Sequence, residues 1–198
     1  ENVVMLDKYE AEGLNLLKID VLGLRTLSIL QEVAERIGMN YSDYYTMRTD
    51  DPVVYKTFSD MKLFGIFQFE GYALQAITRE MGCESFADIC AITSLARPGP
   101  LQSGGSDLYV KRRTGQEEVK YLSEHPSVIE STSDTYGIII YQEQLMSIAR
   151  EYGNMSWEDV SELRKAASKS LGEDFFNKYK DKFIEGTKLN GVDLDEAN

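Results

Sequence analysis

The chain has 198 residues, 42% of them apolar, with 21 Lys and Arg against 33 Asp and Glu and a net charge of -12. This is enough apolar material for one domain or two small ones, and the 8 Phe and 12 Tyr exclude intrinsic disorder. No apolar run approaches about 18 residues, so no membrane span is expected, and Glu1-Asn2-Val3-Val4 has neither the basic nor the apolar region of a signal peptide.

In chain order the elements are mostly helical. Leu27, Leu30, Val33, Ala34 and Ile37 fall at helical spacing with Gly38 as a stop, which predicts a helix over 24–37. Asp51-Pro52 is an N-cap with proline at the first helical position, predicting a helix over 52–58. Another is predicted over 72–81, ended by Gly82. Ser85 and Asp88 form a capping-box pattern for a helix over 86–96. Arg97-Pro98-Gly99-Pro100 breaks the chain, because proline cannot donate to a helical ladder. A short helix is predicted over 107–113, then longer ones over 142–152, 157–169 and 173–189, the second of these opened by Ser156 with Asp159. Strand-like runs are few: 16–21, 63–69 and 137–141, the last carrying three isoleucines. The fold class is mainly α, with one or two short β segments at one edge.

Acids outnumber bases by six in residues 1–100 and again by six in 101–198, so no basic domain stands out and coating of DNA by charge is disfavoured. Two basic clusters remain, Lys111-Arg112-Arg113 and Arg164-Lys165 with Lys169; by composition alone both read as solvated helix faces. Cys83 and Cys90, seven residues apart, match no redox or zinc spacing and read as reduced, buried thiols. His125, the single histidine, precedes Pro126 and reads as a surface or helix-opening residue. Trp157, Phe175, Phe176 and Phe183 read as core, and Gln68, Glu70, Gln142 and Glu143 as members of structural hydrogen-bond networks. Glu1 is not an initiator methionine and 193–198 resembles the first turn of a helix, so a piece of a longer polypeptide is expected.

No P-loop, dinucleotide-binding turn, zinc finger, nucleophile elbow or zincin motif is present. Four stretches in order are nevertheless distinctive: LKIDVLGLRTL at 17–27, GIFQFE at 65–70, ARPGPLQSG at 96–104 and TYGIIIYQEQLM at 135–146. With these the chain resembles the C-family replicative polymerases, the catalytic α subunits of bacterial DNA polymerase III, through nearly its whole length. The resemblance implies the end of the palm at 1–25 and a helical fingers domain at 26–198. It implies a DNA-directed DNA polymerase that transfers deoxynucleotides to a primer 3′-hydroxyl by a two-metal mechanism.

In such a palm three aspartates hold two Mg2+ ions. Asp20 corresponds to the third, and the other two lie upstream of the matching segment, so this chain alone is expected not to extend a primer. Read without the resemblance, Asp20 is an N-cap for the helix that follows. Lys18, two residues away and on the same side by strand alternation, is implied to touch the triphosphate. The fingers helix implies a triphosphate contact from Arg164, Lys165 and Lys169, although the family's usual Arg-Arg and Gly-Lys-Lys are here Arg164-Lys165 and Ser168-Lys169-Ser170. Lys165 supplies a point charge where an arginine supplies a planar fork. Arg97, held in its proline turn, and Lys111, Arg112 and Arg113 are candidate substrate or DNA contacts. The implied partners are primer–template DNA, deoxynucleoside triphosphates and other replisome subunits, with no membrane and a cytoplasmic location. The rival reading is an acidic helical interaction module without catalytic role.

Overall fold

The computed structural model describes residues 3–17, 19–169 and 172–193. Among them the regular structure is helical throughout and no strand is present. The chain divides into two compact units, residues 1–48 and 49–198.

The first unit holds α1 (Lys8–Gly13) and α2 (Arg25–Ile37), followed by a 3-10 segment, Tyr41–Thr46. Asp7 caps α1, accepting from the backbone N–H of Tyr9 and Glu10, while Glu10 reaches back to the N–H of Asp7. This capping box is written in the sequence, but the helix was not among those expected. The α2 helix ends at Gly38, whose φ of 71° is the left-handed conformation that stops a helix without a Cβ penalty. Its N-cap is Leu24 in extended conformation, so Asp20 is not the cap. The stretch before it, including 19–21, is irregular where a strand was expected, because no second strand pairs with it.

In the second unit α3 (Pro52–Ser59), α4 (Tyr72–Met81), α5 (Phe86–Leu95), α6 (Pro98–Gln102) and α7 (Gly105–Arg113) surround one core. Ile92 and Leu95 are fully buried there, among Phe58, Phe69, Ile77 and Tyr109. Burying each such side chain contributes about 1.5–3 kcal/mol. The expected strand at 63–69 is instead a run of turns with Gly65 at φ 79° and Gln68 at φ 65°. The proline turn does end α5, as expected, but Pro98 and Pro100 then occupy the first turn of α6, where missing N–H groups cost nothing.

The rest of the unit comprises α8 (Pro126–Thr132), a 3-10 turn at Ser133–Thr135, α9 (Gln142–Ser147) running into a π-helical segment at Ile148–Tyr152, α10 (Trp157–Lys169) and α11 (Glu173–Leu189). Residues 137–141 form no strand: Gly137 is a turn residue at φ 76° and 138–140 are irregular. The buried Gln144 organises them. Its Oε1 accepts from the N–H of Ile140 and Tyr141, and its Nε2 donates to Thr135 and to the carbonyl of Ser131. His125 opens α8 as its N-cap, accepting from the N–H of Ser127. On the inner side of α10 lie Val160, Leu163 and Ala166, packed with Ala149, Met155 and the aromatic rings of α11. Where α11 crosses the turn after the π segment, backbone meets backbone: a Cβ on Gly186 would lie 1.8 Å from the carbonyl oxygen of Gly153.

Candidate nucleotide-facing helix and the two basic clusters

Helix α10 opens on Ser156, whose hydroxyl accepts from the N–H of Asp159 at 3.2 Å and donates to its carboxylate. Two of the three acids of this helix are engaged by α11: Asp159 pairs with Lys182 at 2.5 Å, and Glu162 accepts from the Tyr179 hydroxyl, while Glu158 in the first turn is exposed. Lys182 and the Ser156 hydroxyl together hold the Asp159 carboxyl below its ordinary value. The Glu162 contact raises the Tyr179 phenol.

Arg164 and Lys165 are exposed and form no ion pair among the described residues. Ser168 donates to the carbonyl of Arg164 and accepts from Gln142, which ties this end of α10 to α9. Lys169 closes the helix four residues beyond Lys165; its side chain lies outside what is described, as does Lys18 altogether. Trp157, expected in the core, is 63% exposed at the first position of α10. The spacing that hides Val160, Leu163 and Ala166 turns it outward.

The cluster on α7 is arranged differently. Arg113 is largely buried and donates to Glu84 at 2.8 Å and to Asp88 at 3.3 Å. Asp88 also accepts from the N–H of Glu84 and Ser85 at the start of α5. Burial pushes the Asp88 carboxyl up, but the N–H of Glu84 and the Arg113 guanidinium outweigh it and hold the group below its ordinary value. The same two acids raise Arg113. Arg112 donates from Nη1 to the carbonyls of Lys120 and Tyr136, and its buried Nε has no partner. Gly137 is required beside it, since at φ 76° a Cβ would come 2.4 Å from the Lys120 carbonyl oxygen. Lys111 alone of the three is exposed and without an ion pair among the described residues. Arg97, the N-cap of α6, is likewise exposed and unpaired among them.

Asp20, in the first unit, is exposed and is not without a partner. No group of three or more His, Cys, Asp or Glu side chains among the described residues could hold a metal ion. Of the thiols, Cys83 is buried and its pKa is pushed up to about 11 by that burial, which makes it a packing group rather than a nucleophile. No described helix is long and apolar enough to cross a membrane.

The family described as the bacterial DNA polymerase III alpha subunit finger domain matches residues 26–191. The chain belongs to this family. Among similar proteins, the DNA polymerase III subunit alpha of Aquifex aeolicus (strain VF5) is 37% identical over 194 residues, covering 96% of this chain and 16% of that protein. The protein of the same name from Staphylococcus aureus (strain MRSA252) is 40% identical over 190 residues, covering 94% of this chain and 17% of that protein. The chain thus spans about a sixth of the length of the curated relatives it matches. In a finger domain of this family, α10 is the described helix that presents two adjacent unpaired cations to solvent, and α7 spends two of its three on the fold.

Proposed function

We propose that this chain is the fingers, with the palm edge at 1–25, of a DNA-directed DNA polymerase, and that α10 carries the contact to the incoming deoxynucleoside triphosphate. One observation supports this above the others: Arg164 and Lys165 stand exposed, with no ion pair among the described residues, on one helix of a chain whose net charge is -12. Holding unneutralised cations together costs electrostatic free energy unless an anion arrives. The Arg164 fork suits two phosphate oxygens, while Lys165 and Lys169 supply point charges. Arg97 and Lys111 remain candidate contacts to substrate or DNA. Arg112 and Arg113 already have their partners within the fold.

Asp20 offers the oxygen donor that Mg2+ takes. One carboxylate does not make a metal site, and the described residues add no ligand set, so no chemical step is derived through the ion. In this reading Asp20 joins two further carboxylates of the full-length polymerase, and Lys18 lies beside it in sequence. Primer–template DNA, the other replisome subunits and a cytoplasmic setting belong to the same reading.

The test is kinetic. Arg164→Ala in the full-length polymerase raises KM for nucleotide and lowers kcat, since the contact strengthens as charge builds on the triphosphate. A charge-assisted contact of about 1.5–3 kcal/mol corresponds to roughly ten- to a hundred-fold in kcat/KM. Lys165→Ala loses less. Unchanged nucleotide kinetics in Arg164→Ala would refute the assignment of α10. Asp20→Asn abolishes extension with the fold intact if Asp20 is a ligand.

A further inference from the structure

Trp157 is the single tryptophan of the chain and 63% exposed. A lone exposed hydrophobic residue needs no explanation. Two features make this one different. Its ring is held: the Arg150 guanidinium lies 5.6 Å from the ring centroid, and Arg150 is itself anchored by a 2.6 Å bond from Nη1 to the carbonyl of Met155. The ring is also in register with Arg164. Trp157, Ser161, Arg164 and Ser168 follow one another at steps of four, three and four residues, so they share one face of α10. Arg164 lies two turns from Trp157, about 10.5 Å along the axis and roughly 20° around it.

We infer that the Trp157 indole is the wall on which the base of a nucleoside triphosphate stacks while Arg164 and Lys165 hold its phosphates. This deepens the proposed function and rests on it. Two helical turns match the order of length of an extended nucleoside triphosphate from its ring to its terminal phosphate. The electrostatics agree, because Asp159 and Glu162 are drawn to α11 by Lys182 and Tyr179, away from this face. Stacking uses the face of the base and leaves its pairing edge to a template strand. Every base has such a face, so the wall accepts all four nucleotides.

With one tryptophan in the chain, intrinsic fluorescence reads this wall alone. The 198-residue chain is titrated with dATP, with dTTP and with inorganic tripolyphosphate at constant ionic strength, and binding is measured independently by equilibrium dialysis. Both nucleotides should quench Trp157 saturably and tripolyphosphate should not. Trp157→Ala should weaken dATP binding by roughly five- to a hundred-fold and leave tripolyphosphate binding unchanged, with Trp157→Phe keeping most of the affinity. If dATP binds in an Arg164-dependent way but leaves the emission unchanged, and Trp157→Ala binds it equally, the wall is refuted and the triphosphate contact stands. If dATP quenches Trp157 as strongly in Arg164→Ala as in the parent, the triphosphate contact is refuted and the wall stands. Failure of dATP, dTTP and tripolyphosphate to bind overturns both.

Discussion

On α7, Arg112 and Arg113 turn inward, the first onto two backbone carbonyls and the second onto Asp88 and Glu84, while on α10 Arg164 and Lys165 are exposed and no acid among the described residues takes them up. The two runs are nearly alike in composition. What separates them is where the acids are. On α7 the counter-charges come from the start of another helix and meet Arg113 within the fold. On α10 Asp159 and Glu162 lie on the same helix and are taken by α11. In the proposed reading, a basic run is left for a ligand where the fold supplies partners for its neighbours and, among the described residues, none for the run itself.

The strongest way to break this contrast is at Asp88. Removing it leaves Arg113 buried without its main partner, and Asp88→Ala should cost about 3–5 kcal/mol in urea unfolding. Asp88→Leu combined with Arg113→Met should recover most of that. A loss below about 1 kcal/mol for Asp88→Ala would place the pair among screened surface pairs. The pH dependence has a definite sign. Because the folded-state pKa of Asp88 is depressed, its contribution is complete above its ordinary value of 3.8 and is lost as pH falls through the lower folded value. The acid limb of the stability curve should flatten in Asp88→Ala.

The next effect reverses the readout. Arg164→Ala should leave stability within about 0.5 kcal/mol, as an exposed position does, while removing roughly ten- to a hundred-fold of nucleotide kcat/KM. A large drop in melting temperature would mean that α10 uses Arg164 as α7 uses Arg113. Arg112→Met should cost about 1–2 kcal/mol in thermal unfolding, for two lost hydrogen bonds offset by removal of a buried Nε without a partner. The smallest effect belongs to Lys111→Ala, within about 0.5 kcal/mol by the same measurement. Anything larger would show that all three residues of the α7 run are structural.

Most helices were legible because their signals are local. Asp51-Pro52, the Ser85–Asp88 box and the glycines at 38 and 82 carry caps and stops in a few adjacent residues, and helices α2 to α5 end within a residue or so of where they were expected. The same kind of signal was present and unused at Asp7 with Glu10, while His125, read as a surface or helix-opening residue, does cap α8. The strand readings failed at 16–21, 63–69 and 137–141 because β-rich composition needs a partner strand, which composition does not supply. The π segment at Ile148–Tyr152 has no local signature. At the site, Arg113 could not be told from Lys111 because its partner Asp88 is 25 residues away in sequence. Trp157 was misjudged because aromatic character was taken for burial, although Val160, Leu163 and Ala166 already defined the inner side of α10. Asp20 and α10 lie in different compact units.

The Gly153–Gly186 crossing bears on how this part of the molecule can move. The two main chains come into direct contact there, the Phe183 ring lies against Gly153, and Asn190 donates to the carbonyls of Glu151 and Tyr152, so sliding α11 along the turn would drive backbone into backbone. Helix α10 is tied to α11 through Asp159 and Lys182, and to α9 through Ser168 and Gln142. Shear between packed helices proceeds by small side-chain adjustments, and at this crossing backbone contact leaves little room for them. The motion expected of α9, α10 and α11 is thus a swing of the three together rather than sliding of one past another.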